Sequence, residues 1–159
     1  MDSNWTRPKG TAVARLAAAV ATIVVLVAAA SSQAAPSLTK QQWKKQADAL
    51  CASAIAQNHK YNPLYPAAKA AAVGDKVVAV SRRTMRSLHA LQPPTAEKTS
   101  VGRLLTLGDA AVNGLARAIV AAKSGNEQAF VTAARRAQAL IDKAHAAARA
   151  YGLQACARW

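Results

Sequence analysis

Apolar residues recur every three or four positions through most of the chain after residue 38, which is typical of amphipathic α-helices. The first predicted helix begins at Thr39, because Thr39 and Gln42 form a capping-box pattern. The helical pattern ends near Asn58-His59. Its inward-facing positions are Trp43, Ala47, Leu50, Cys51 and Ala54.

The second helix is predicted from about Ala67 to Leu91, after a connector whose two prolines block a continuing helix. Gly74-Asp75 is unfavourable inside a helix, so the alternative is a helix that begins later, with Asp75 as its N-cap. Pro93-Pro94 ends the helix. Its predicted inner face consists of Val73, Val77, Val80, Thr84, Leu88 and Leu91.

Thr95 is predicted to cap the third helix, with Glu97 at the positive end of the helix dipole. One or two of the three glycines in this helix are expected to allow a close approach by another helix. The predicted buried stripe consists of Val101, Leu104, Leu105, Gly108, Val112, Leu115 and Ile119.

Ser124-Gly125-Asn126 separates the third helix from the fourth, since Gly125 suits a left-handed C-cap and Asn126 suits an N-cap. Gly152 ends the fourth helix, and a short tail follows. The fourth inner face consists of Phe130, Ala134, Ala137, Ile141, Ala144, Ala148 and Tyr151. Short connections between long helices favour antiparallel neighbours, so the expected fold is an all-α, antiparallel four-helix bundle.

Residues 1–34 fit a signal peptide, and residues 36–159 form the predicted bundle domain. A basic stretch precedes an uncharged run over residues 16–30 and a small, polar segment, with cleavage expected after Ala34. The apolar run is shorter than the ~20 residues that span a bilayer. This favours a cleaved leader, with no stable membrane anchor afterwards, over a retained anchor. We therefore expect the domain to be secreted or associated with the cell envelope.

Cys51 and Cys156 are the two cysteines of the chain. An even count in an exported protein predicts a disulfide. In a four-helix bundle the end of the fourth helix returns to the first, which brings the two positions together. A redox pair is the alternative, but catalytic pairs normally have Cys-x-x-Cys spacing.

Four stretches after the predicted signal peptide resemble a group of small exported, alanine-rich helical proteins of actinobacteria. They are residues 47–52, 88–94, Ser124-Gly125 and 152–156. The resemblance covers nearly all of the mature chain and implies the bundle and the disulfide. Many members are lipoproteins, whereas this chain lacks a lipobox cysteine. The resemblance implies no activity and no functional residue.

The formal net charge is +14, and nearly all of it lies after Pro36. Arg82, Arg83 and Arg86 cluster on about one turn of the second helix and are the candidate anion-binding residues. A solvated outer helix face explains the same pattern. Nucleic acid is disfavoured as a partner, because aromatic residues are not interleaved with the basic ones.

No motif for catalysis, metal binding or a cofactor is evident, so none of these is predicted. His59, His89 and His145 lack partners at metal-ligand spacing. Gly-x-Ser-x-Gly is absent. The enzymatic alternative is a hydrolase whose catalytic residues lie far apart in the sequence and come together only in the folded protein.

Two functions remain open at this point. The first is a non-enzymatic exported domain that binds an envelope or extracellular partner, with an anionic component as the candidate. The alternative is a small-ligand carrier, for haem or lipid, with a pocket between helices. A large apolar cavity would favour the alternative.

Overall fold

A computed structural model describes residues 38–61 and 64–159 of the chain. This part contains four long helices and no strand, so the all-α prediction is confirmed. The predicted signal peptide, residues 1–34, lies outside the described residues. The helices are α1 (Lys40–Asn58), α2 (Ala67–Ala90), α3 (Lys98–Lys123) and α4 (Glu127–Tyr151), with short 3-10 turns at His59–Tyr61 and Thr95–Glu97.

Most helix ends follow the predicted local chemistry. The Thr39 hydroxyl accepts a hydrogen bond from the Gln42 amide at 3.2 Å, and the Gln42 side chain accepts one from the Thr39 amide at 2.9 Å. Asn126 caps α4 by accepting from the amide of Ala129 at 2.9 Å. Gly125 and Gly152 have φ values of +72° and +86°, which glycine adopts without strain.

The alternative start of α2 at Asp75 is wrong. The helix begins at Ala67 and runs without interruption through Gly74, which is buried. A Cβ at Gly74 would overlap the side chain of Ile119 on α3. The glycine is therefore a contact point between helices rather than a helix break.

The buried face of α2 is also rotated from the predicted one. Val73 and Val80 are only half-buried, because α2 packs against both α1 and α3 and buries a wider stripe. The buried residues of α2 are Ala67, Ala70, Gly74, Val77, Val78, Ser81, Thr84, Met85 and Leu88.

Thr95 does not cap α3, contrary to the prediction. It begins a 3-10 turn in which the Glu97 amide donates to the carbonyl of Pro94 at 2.9 Å, and α3 starts at Lys98 without a side-chain cap. The Glu97 carboxylate instead pairs with Lys40 at 2.9 Å. This contact ties the start of α3 to the start of α1.

Helix α3 packs against both α2 and α4. The segment Thr95–Lys123 is long and apolar enough to cross a bilayer by length and composition alone, and α2 and α4 cover part of it. A Cβ at Gly108 would lie 2.9 Å from Met85, and one at Gly114 would lie 2.9 Å from Leu140. Two of the three glycines thus permit close approach, as predicted.

The core of the described residues divides into two clusters. The disulfide cluster surrounds Trp43, Cys51, Cys156 and Leu153, and the Phe130 cluster contains Ile119 and Ala70. Helix α1 meets α4 where the rings of Trp43 and Tyr151 pack edge to face, 5.6 Å apart. The space between the two clusters is where the candidate site lies.

Candidate functional site

The predicted disulfide is confirmed. Cys51 and Cys156 are joined by an S–S bond of 2.06 Å, with their Cα atoms 5.0 Å apart. Both sulfurs belong to the disulfide cluster, and both cysteines are buried. Trp43 is buried in this cluster and Trp159 packs against it.

A second attachment of the tail was not predicted. The Asp48 carboxylate accepts hydrogen bonds from the backbone N–H groups of Gln154 and Ala155, both at 2.9 Å, and of Cys156 at 3.2 Å. Three consecutive amides around one carboxylate form a compact anion-binding turn. The position of Asp48 three residues before Cys51, on the same side of α1, was the only signal in the sequence.

A cavity of about 510 Å³ lies between the helices. Residues of both core clusters line it, among them Trp43 and Met85 from the disulfide cluster and Ile119 and Phe130 from the Phe130 cluster. Every helix and the C-terminal tail contribute to its walls. The cavity therefore runs between the two halves of the core.

Small side chains on α4 explain why this space exists. The cavity-lining positions of α4 include the alanines at 134, 137, 144 and 148. Alanine is an excellent helix former but fills little volume. The sequence pattern that stabilises α4 therefore also leaves room between α4 and the other helices.

The polar part of the lining carries little charge and no acid. Among the described residues, the lining side chains with an amide, imidazole or guanidinium group are Asn58, His59, Gln138, His145 and Arg158, and none of the lining residues is an Asp or Glu. Arg158 is the only one with a permanent charge. This environment suits a neutral or anionic ligand better than a cation.

Two polar atoms of the cavity-lining residues lack a hydrogen-bond partner in the described structure. They are Nε1 of Trp43 and Oδ1 of Asn58, in side chains that are 0% and 7% exposed. Buried polar groups in native proteins are almost always paired. Sequence patterns gave no indication of either atom.

The residues offer little support for haem or a metal. His59, Met85 and His145 line the cavity as single candidate ligands. Nε2 of His145 already lies 2.6 Å from the main-chain oxygen of Trp159. Among residues 38–61 and 64–159, no three His, Cys, Asp or Glu side chains group as a metal site would require.

The three candidate anion-binding residues lie together, away from the cavity. Arg82, Arg83 and Arg86 are exposed on α2, and within the part of the chain that the structure describes none of them has an ion pair. His89, which follows them, contacts Asp109 at 2.8 Å. The positive charge of this arginine cluster is thus not compensated by a neighbouring acid.

Comparison of the chain with protein-family models, with curated proteins and with solved structures finds no match. The functional argument therefore depends on the geometry of the cavity and on the arginine cluster. These two features lie on different faces of α2, since residues such as Val77 and Ser81 line the cavity while the arginines face outward.

Proposed function

We propose that this protein is a non-enzymatic exported carrier that holds one apolar small molecule between the helices of an antiparallel bundle. The cavity of about 510 Å³ is the observation that carries the proposal. Ligand pockets in proteins typically have volumes of ~300–1,000 Å³ and mostly apolar walls. The cavity matches both properties.

The apolar walls of the cavity argue for a ligand on energetic grounds. The cavity is partly open to solvent, so a ligand can enter it from outside. Removal of apolar surface from water contributes about 25 cal/mol per Å², so a ligand that covers these walls would be held mainly by apolar contact.

The disulfide supports the proposed location. Disulfides persist in oxidising compartments outside the cytosol, and Cys51–Cys156 joins the first helix to the tail. Together with the predicted signal peptide over residues 1–34, this favours secretion or association with the cell envelope. A carrier in that setting would take up its ligand outside the cytosol.

Binding of cis-parinaric acid, a fluorescent apolar chain, tests the proposal. The protein is produced from its full sequence, and the form that the cell accumulates is stripped of lipid and titrated. We expect saturable binding at one site. Ala144→Phe, which fills the cavity, should abolish it, whereas Ala146→Phe on the exposed side of α4 should not.

Two outcomes would refute this assignment. Failure of the stripped protein to bind any apolar chain would refute the carrier function. Equal binding by the Ala144→Phe variant, with its fold intact by circular dichroism, would show that the ligand occupies another place. Native mass spectrometry before stripping identifies what the protein carries from its own host.

A second candidate function is binding to an anionic surface, which the unpaired arginine cluster favours. Two acids of α2 and α3 are engaged by other cations, since Asp75 pairs with Lys123 and Asp109 with His89. Uncompensated basic clusters attract anionic lipids by about 1 kcal/mol for each residue near the surface. Such an interaction would weaken as salt concentration rises.

Sedimentation with phosphatidylglycerol vesicles tests this second candidate. Replacing Arg82, Arg83 and Arg86 by Gln should release the protein from the vesicles. The same loss of charge on α4, with Gln at Arg135, Arg136 and Lys143, is the matched control and should have a smaller effect. Equal losses of vesicle binding in the two variants would show a response to net charge alone. Absence of vesicle binding by the wild-type protein would refute the second candidate.

A further inference from the structure

The side of the bundle between α1 and α4 is loosely packed, and we term it the α1–α4 seam. In the described part of the chain, α1 packs against α2, α2 against α3 and α3 against α4. Helices α1 and α4 share no extensive interface there and meet at the rings of Trp43 and Tyr151. Side chains of both helices line the cavity, so the seam lies along it.

The C-terminal tail bridges this seam. On the α1 side, Cys156 is bonded to Cys51, and its amide donates to the Asp48 carboxylate. On the α4 side, Nε2 of His145 lies 2.6 Å from the main-chain oxygen of Trp159, to which it can donate. The cysteines and the His145–Trp159 pair all line the cavity, so the bridge forms part of the cavity wall.

The first part of the tail, residues 153–156, is firmly attached. The amide of Leu153 donates to the carbonyl of Ala148 at 2.9 Å. The disulfide and the three hydrogen bonds to the Asp48 carboxylate follow within the next three residues. This part of the tail is therefore fixed to the body of the bundle.

The second part, residues 157–159, is attached more weakly, and we term it the flap. Two side chains of α4 hold it, since Arg149 donates to the carbonyl of Ala157 at 3.4 Å and His145 contacts Trp159. Arg158 is exposed and Trp159 is only half-buried. Segments with few buried contacts open locally while the rest of a protein stays folded. The flap is thus the part of the tail that can move.

We infer that the ligand enters and leaves the cavity through the α1–α4 seam, beneath the flap. This inference rests on the proposed carrier function. Opening of the flap lifts Trp159 from the cavity wall, while Cys156 stays bonded to α1 and keeps the flap close enough to return. A lid that must open for both entry and exit controls both rates.

Arg149→Gln tests the inference from outside the cavity. Arg149 is exposed and does not line the cavity, so its replacement weakens the flap without removing a ligand contact. Stopped-flow mixing with cis-parinaric acid measures association, and displacement by excess hexadecanoic acid measures dissociation. Both rates should rise about threefold, with Kd unchanged. His145→Leu removes the shorter contact and should raise both rates about tenfold, the worth of one hydrogen bond.

Two matched variants serve as controls. Arg135→Gln removes the same charge from another exposed position of α4 that does not line the cavity, and His89→Leu removes a histidine that contacts Asp109. Neither should change the rates. Unchanged rates in Arg149→Gln and His145→Leu would show that the ligand passes elsewhere. A rise in the dissociation rate alone would show that the flap is only a wall of the cavity, and either result would overturn the inference.

Hydrogen exchange tests the movement of the flap without a ligand. The amide of Arg158 donates to the carbonyl of Ala155 at 3.0 Å, and it should exchange about threefold faster in Arg149→Gln. The amide of Leu153, in the fixed part of the tail, should exchange at the wild-type rate. Equal exchange of the Arg158 amide in both proteins would overturn the flap while binding of cis-parinaric acid still supported the carrier function. Absence of that binding would refute the carrier function and, with it, passage beneath the flap.

Discussion

The Asp48 carboxylate accepts a hydrogen bond from the backbone N–H of Cys156 at 3.2 Å, although 108 residues separate them in the chain. Cys156 is also bonded to Cys51, three residues after Asp48. One turn of α1 therefore holds the tail both by a covalent bond and by a carboxylate. The tail in turn carries Leu153, Cys156, Arg158 and Trp159 to the cavity wall.

Replacement of Asp48 should destabilise the protein measurably. Asp48→Ala removes the acceptor of three amides and should lower the free energy of unfolding by about 2–3 kcal/mol. Asp48→Asn keeps one acceptor oxygen and should lower the free energy of unfolding by about half as much. Urea unfolding followed by circular dichroism measures both.

Asp142 provides the matched control for Asp48. It is exposed and contacts only the side chain of Gln138, at 2.9 Å, among the described residues. Asp142→Ala should change the free energy of unfolding by less than about 0.5 kcal/mol. Similar losses at the two positions would show that the three tail amides contribute nothing specific.

The disulfide should contribute more than any single hydrogen bond. Its cysteines are separated by 105 residues, and the chain-entropy model assigns about 4.7 kcal/mol to a loop of roughly 100 residues. The double variant Cys51→Ala, Cys156→Ala should therefore lose about 3–5 kcal/mol of unfolding free energy. Thiol titration of the unfolded wild-type protein without reductant should detect no free thiol, and two thiols per chain would contradict the assignment.

The helices and most of their caps could be predicted because they depend on local chemistry, and the disulfide because it depends on the cysteine count and the topology. Thr39, Asn126 and Gly152 act within one helical turn, and the cysteine pair follows from count and topology. Thr95 was misassigned, because a carbonyl of the preceding residue, Pro94, took the role expected of a side chain.

The candidate site could not be predicted in the same way. A cavity arises from the volume missing between helices, and periodicity shows which residues face inward without showing how well they fill the space. Asn58 was expected only to end α1, and Trp43 only to pack in the core. Each has a buried polar atom without a partner in the described structure. Only the positions of all neighbouring residues in the fold show this.

Gly74 should not tolerate a side chain. Gly74→Ala would drive the new methyl group into Ile119 and should lower the unfolding free energy by about 1–3 kcal/mol. The double variant Gly74→Ala, Ile119→Ala should lose less unfolding free energy than the two single variants together, since Ile119→Ala removes the overlap. Chemical denaturation of the four proteins in this cycle measures the coupling.

Gly102 is the control for this substitution. It also lies within a helix, but nothing lies within 4 Å of a Cβ built there. Gly102→Ala should raise the unfolding free energy by up to about 1 kcal/mol, because alanine is the better helix former. Destabilisation at Gly102 as large as at Gly74 would show that helix propensity and not the Ile119 contact decides the outcome.

Tyr151 should make stability fall at high pH. Burial, and then the negative charge of Glu97, raise the pKa of the Tyr151 phenol to about 12. The ammonium of Lys40 lies 5.1 Å from the ring centre and pairs with Glu97. Since the unfolded phenol has a pKa of about 10, it ionises before the folded one. The stabilisation by the neutral phenol is thus complete below about pH 10 and is lost as the pH rises towards 12.

Tyr151→Phe isolates this effect from the titration of lysines, which both proteins share. At neutral pH the stability of the variant should lie within about 1.5 kcal/mol of that of the wild-type protein, because the hydroxyl can contribute at most one hydrogen bond, to Glu97. Between about pH 10 and about pH 12, urea unfolding should show a steeper loss of stability in the wild-type protein than in the variant. Parallel pH profiles would mean that the phenol ionises as readily in the folded chain as in the unfolded one, and that neither burial nor Glu97 acts on it.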